Sequence, residues 1–169
     1  MDILTQVPLT LNTVNAGLVA GTTTTVTVTL APTGIVIGGK FGTTTLSASA
    51  NQSIEPTTDA NTGVAFATIP INSAACLLFG INAAGTLVGA LGPVVPTETG
   101  VTTTVGAFIN APQFPAIPSD FCPVAYTLIR VAPSLTAGFI AGSTQWAASG
   151  ASCTTFKNIA TLPGRPQIA

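Results

Sequence analysis

Five carboxylates (Asp2, Glu55, Asp59, Glu98 and Asp120) and four cations (Lys40, Arg130, Lys157 and Arg165) are all the charge in 169 residues, and no histidine accompanies them. Without histidine the chain lacks the side chain that most often acts as general base or metal ligand near neutral pH. Ser-His-Asp and Cys-His nucleophilic arrangements are therefore impossible. Glu55 and Asp59 are close enough in sequence to work as a carboxylate pair, yet Pro56 and the turn formers around them point to a solvated loop. Asp59-Ala60-Asn61-Thr62-Gly63 has the D-x-N-x-G outline of a calcium loop, with one carboxylate where such a loop needs several. An Asx turn is expected there instead. Gly142-Ser143-Thr144-Gln145 lacks the second glycine of a nucleophile elbow, and no glycine-rich phosphate cradle occurs. These residues predict neither an enzyme nor a cofactor.

Cys76, Cys122 and Cys153 are too widely spaced for a metal clip. Cys76, within Ala75-Cys76-Leu77-Leu78-Phe79, is expected to be a small buried hydrophobe, and whether Cys122 and Cys153 pair is left open. Arg130 stands among apolar neighbours and needs a carboxylate or carbonyl partner. Asp120 is a candidate, within the chain or across a subunit boundary, although it is also suited to bonding the backbone of its own turn.

The scarcity of charge is itself informative. Charged residues make up 5% of the chain, against about 25% in an average soluble domain, while 47% is hydrophobic and mean hydropathy is +0.63. The surface must then be Thr, Ser, Asn, Gly and Ala, or be covered by neighbours. A net charge of -1 and cations scattered along the chain predict no nucleic-acid partner. No apolar run reaches about 18 residues, so no transmembrane helix is expected. Thirteen prolines with a single Trp and Tyr argue against a membrane barrel. The opening Met1-Asp2-Ile3 has an acid where a signal peptide needs a base. A soluble chain that is not exported and has no membrane partner is expected.

Threonine is β-branched and favours pleated surfaces. In Thr23 to Leu30 the valines and Leu30 alternate with threonines, a period-2 strand with one apolar face. Further strands are expected at Val7 to Leu11, Gly34 to Gly39, Phe41 to Ser47, Gly63 to Ile69, Cys76 to Ile81, Thr86 to Leu91, Val101 to Val105, Pro123 to Val131 and Cys153 to Ile159. Asn82-Ala83-Ala84-Gly85 is a hairpin turn between the fifth and sixth of these. In Pro123 to Val131, Val124, Tyr126, Leu128 and Arg130 share one face, and Ala125, Thr127, Ile129 and Val131 the other. No segment has sustained helical periodicity. Short strands with frequent turn signals predict an all-β domain spanning 1–169, an antiparallel β-sandwich or barrel with a long proline-rich loop and with 1–20 and 160–169 as extended arms. The prolines between Phe108 and Pro123 exclude helix and central strand there. Phe108, Ile109, Phe114, Ile117 and Phe121 keep the segment apolar, to lie over its own core or to pack into another subunit. Ala16 to Thr23 echoes Ala137 to Thr144, but the flanks do not extend the match into a repeat.

Pro56 to Gly63, Asn82 to Gly85, Gly106 to Tyr126 and Thr161 to Gln167, together about a quarter of the chain, resemble small structural proteins of tailed phages and prophages. The resemblance implies a virion structural protein, with capsid decoration (cement) the favoured role. Such a protein would be made in the host cytoplasm and sit on the capsid exterior as a homotrimer bridging major capsid proteins. Phe108, Ile109, Phe114, Ile117, Phe121, Arg130 and Arg165 are the interface residues expected on this reading. A tail or head fibre component that binds host glycan is the alternative; it would want exposed aromatics, and Trp146 with Tyr126 is a thin supply.

Overall fold

The structure, a computed structural model, describes residues 11–12, 15–21, 26–28, 33–37, 40–44, 52–54, 56–118, 120–153 and 155–168. Its strands are Leu11–Asn12 (β1), Leu18–Ala20 (β2), Val26–Val28 (β3), Thr33–Ile37 (β4), Lys40–Thr44 (β5), Gln52–Ile54 (β6), Ser73–Ile81 (β7), Leu87–Leu91 (β8), Val95–Pro96 (β9), Cys122–Val131 (β10), Ala151–Ser152 (β11) and Phe156–Asn158 (β12). No helix occurs among the described residues, so the chain is all-β there. β11-β10-β7-β8 form an open antiparallel sheet, extended to six strands by β12 beside β10 and β9 beside β7. Two three-stranded antiparallel sheets, β1-β4-β5 and β2-β3-β6, accompany it.

The long β7–β10 pair organises the molecule. Apolar residues occur at both parities of each strand, so both faces of the sheet are driven out of water. Ala75, Leu77, Phe79 and Ile81 of β7 and Ala125, Ile129 and Val131 of β10 face the larger core, which Ala16, Leu18, Phe66, Ile69, Phe139 and Trp146 complete. Trp146 is the hub of its aromatic group, with ring centroids 5.5 Å from Phe139, 5.4 Å from Phe156 and 6.3 Å from Phe79, separations typical of favourable aromatic packing. Cys76, Leu78, Ala90, Phe121 and Tyr126 form the second core on the opposite face, with Phe114, Leu128, Ile159 and Leu162 packed against it.

The two faces of β10 follow the alternation in its sequence, with one correction. Val124 belongs with Ala125 in the larger core, not with Tyr126. The register against β7 shifts between Pro123 and Ala125, and a bulge there resets which way the earlier residues point. Opposite this edge, β11 and β12 are separate strands, and Thr127 bridges the break. Its hydroxyl is shared between the carbonyls of Cys153 and Thr155, at 2.9 and 3.0 Å.

Asn158 fastens the N-terminal segment to this sheet. Its Oδ1 accepts from Leu18 N–H at 2.8 Å, and its Nδ2 donates to Leu18 C=O at 3.1 Å. The echo segment is held in a similar way. Phe139 exchanges two backbone bonds with Ile69, at 2.8 and 2.9 Å, and both Leu18 and Phe139 follow a glycine at positive φ and are buried.

Elsewhere the sequence-based expectations divide. β4 and β5 pair antiparallel with Ile37 opposite Lys40, within the segments Gly34 to Gly39 and Phe41 to Ser47 expected to be strands. β7 and β8 flank the expected turn, where Gly85 N–H bonds Asn82 C=O at 2.9 Å. Of Val7 to Leu11 and Thr23 to Leu30, only Leu11 and Val26–Val28 lie within the described residues, and each is in a strand. Gly63 to Ile69 is not a strand but carries isolated bridges at Ala65 and Ile69, because the Asx turn and the core contacts of Phe66 take its backbone elsewhere. Val101 to Val105 is also not a strand. Val101 and Thr104 exchange backbone bonds of 3.0 and 2.8 Å across a tight turn, with Thr102 at φ +53. Local turn closure overrides threonine's strand preference there.

Phe121 packs directly on Gly80, where any Cβ would overlap its ring. Gly80→Ala is expected to lower stability by about 1–3 kcal/mol through overpacking, read as a lower urea midpoint. Gly164→Ala, at a position with nothing within 4 Å, is expected to leave the midpoint within about 0.5 kcal/mol of the parent.

Candidate functional site

Strand register gathers the cations. Tyr126 lies opposite Lys157 on β12, and Arg130 lies opposite Ser152 on β11. Directly paired residues share a face, so Tyr126, Leu128, Arg130, Ser152 and Lys157 all project from the side of the sheet that carries the second core. Arg130 and the residue opposite Lys157 are four positions apart on β10, about 13 Å of strand, a span that two long side chains reach across. With Phe108, Thr155, Gln167 and Ile168 these residues line a cleft of about 90 Å³.

Arg130 is positioned by the segment before the prolines. Gly106 passes so close to Glu98 that a Cβ would overlap the Glu98 carbonyl oxygen, and Glu98 N–H bonds Ala107 C=O at 2.8 Å. This close pairing presents Gly106 C=O to Arg130 Nη1 at 3.3 Å. The guanidinium carbon stands 5.1 Å from the Phe108 ring centroid, within the range of a cation–π contact. Arg130 therefore has the carbonyl partner its sequence setting called for, and Asp120 is not that partner. Asp120 Oδ1 accepts from Ala83 N–H at 2.7 Å and so holds the β7–β8 turn. Asp59 likewise serves a turn: its Oδ1 accepts from Asn61 N–H at 2.9 Å, the Asx geometry expected. Neither Arg130 nor Lys157 has a carboxylate partner among the described residues.

The C-terminal segment forms the other wall. Gln167 N–H donates to the Tyr126 hydroxyl at 2.9 Å, and Phe114 packs edge-on against the Tyr126 ring with centroids 5.1 Å apart. Tyr126 therefore anchors both the proline-rich segment and the tail. Arg165 lies in adjoining grooves, one lined with Ala111, Pro163, Gln167 and Ile168 and the other with Phe114. Asn61 Nδ2 ties the proline-rich segment down by bonding Ala116 C=O at 2.9 Å.

No family model, curated protein or solved structure matches the chain.

The expected interface residues divide by environment. Ile109 is 60% exposed, and Ile117 and Arg165 are also exposed. Phe108 and Phe114 are half-buried against Arg130 and Tyr126. Phe121 is 1% exposed and belongs to the second core, so its ring is spent on the fold of its own chain. Sequence reading missed Lys157, Ser152 and Gln167. The strands of Lys157 and Arg130 were both visible, but not the pairing that places the two cations together.

Cys76, Cys122 and Cys153 are buried thiols, none of them in a disulfide, so Cys122 and Cys153 do not pair. Burial pushes the Cys153 thiol up to about 12 and the Cys76 thiol higher still, which keeps both protonated and poorly nucleophilic. Cys153 Sγ donates to Trp146 C=O at 3.1 Å, a packing role beside the aromatic hub.

Tyr126→Phe keeps the ring and removes the acceptor for Gln167 N–H. The expected result is roughly fivefold faster hydrogen exchange at Gln167, the equivalent of about 1 kcal/mol, with β7 amides unchanged.

Proposed function

We propose that this protein is a non-enzymatic virion structural protein of a tailed phage, a capsid decoration protein that assembles as a homotrimer and bridges major capsid proteins on the capsid exterior. The observation that carries the reading is a weakly charged surface with exposed apolar side chains on the proline-rich segment and the tail. Ile109 is 60% exposed and Ile168 51%, with Ile117 also exposed on the same segment as Ile109. Apolar groups of this kind gain when another chain covers them, and a surface with few charges is cheap to desolvate. Many modest contacts repeated over a lattice add up through avidity.

The same reading takes the architecture as a β-sandwich. β1 and β4 lie near β10, β2 lies near β12, and Leu18 of β2 belongs to the larger core, contacts that a second layer of sheet would make. The glycan-binding alternative needs exposed ring faces, and Trp146 and Tyr126 are both buried.

Cryo-electron microscopy of virions made with and without the protein tests the proposal. Density lost from the capsid surface, together with a trimeric mass by light scattering, is the expected result. Density lost from the tail, or a monomer at every concentration that does not add back to capsids lacking it, overturns it.

A further inference from the structure

We infer that the cleft between β10, β12 and the C-terminal segment is an oxyanion-binding site that takes a single carboxylate or phosphate group. Two of the four cations of the chain line it, and no carboxylate does among the described residues. The acid nearest by backbone pairing, Glu98, bonds Ala107 through its main chain and makes no ion pair with Arg130. Asp59 is engaged by its own turn and Asp120 by the β7–β8 turn.

The donors that remain are numerous. A guanidinium has five N–H donors, and Arg130 uses one on Gly106 C=O. Its plane is fixed by that carbonyl and by the Phe108 ring, so the rest of the fork is pre-organised for the two-oxygen recognition at which arginine excels. Lys157 adds an ammonium from the facing strand. The Tyr126 hydroxyl accepts from Gln167 and keeps its own proton to donate. Ser152 and Thr155 add hydroxyls to the lining. A half-buried guanidinium beside a second cation is electrostatically unfavourable without a counter-charge, and an anion between them relieves both. About 90 Å³ admits one such group, not a run of backbone phosphates.

Titration of the whole protein with inorganic phosphate and, separately, with glutarate tests it, followed by amide chemical shifts and calorimetry. Saturable binding with shifts at Arg130, Ser152 and Lys157 is expected. Arg130→Gln and Lys157→Gln should each weaken it about tenfold, the loss of one charge-assisted contact. Arg165→Gln, outside the cleft, should leave it within about twofold. If Arg130→Gln fails to fold, Lys157→Gln at the sheet edge still decides the matter. Binding of phosphate alone assigns a phosphoryl-type group, and binding of glutarate alone assigns a carboxylate. No saturable binding at millimolar concentration of either, or binding that Lys157→Gln leaves unchanged, overturns the inference.

Discussion

A sheet that is apolar on both faces must be covered twice, and the rest of this structure follows from that requirement. β7 and β10 supply the residues for both faces: Leu77, Phe79 and Ile129 toward one side, Leu78 and Tyr126 toward the other. Antiparallel sheets commonly leave one face to water. Here the first face is covered by Leu18 and by the loop residues Phe66, Ile69, Phe139 and Trp146. The second is covered by Phe114 and Phe121, from the segment that prolines bar from forming a central strand, and by Ile159 and Leu162, which follow β12. Proline serves that role well, since its fixed φ lowers the entropy lost on ordering a loop.

Charge is distributed by the same logic. Asp59 and Asp120 are placed where a turn has a backbone N–H to satisfy, so each acid stabilises a connection between elements. Arg130 and Lys157 extend from the second face just beyond its core, where the tail and Phe108 leave a cleft. Scattered in sequence but lining one cleft, they concentrate positive charge that the net value of -1 conceals. A cation with a carbonyl and a ring beside it, and no carboxylate among the described residues, is responsive to an anion of suitable size.

Much of the fold was legible because it is local. The alternation in β10, the Asn82 to Gly85 turn and the Asx turn at Asp59 each rest on a few neighbouring residues. Apart from the local turn at Val101 and Thr104, what sequence reading missed depends on contacts between distant segments. The bulge at Pro123 turned Val124 over, and closure of the turn at Val101 and Thr104 overrode the preference of its threonines. The cleft was invisible because it depends on register: Lys157 meets Tyr126 and Ser152 meets Arg130 only once β10 is paired on both edges. Asp120 was a reasonable partner for Arg130 until the hairpin brought Ala83 N–H to it.

Native-state hydrogen exchange resolved to single amides tests the central claim most directly. If the doubly covered β7–β10 pair holds the molecule together, the amides of Leu77 to Phe79 and Tyr126 to Ile129 exchange slowest, at the rate of global unfolding. Those of Ile109 to Gln113, which carry no strand, exchange orders of magnitude faster. Exchange in β7 and β10 as fast as in Ile109 to Gln113 would contradict the account.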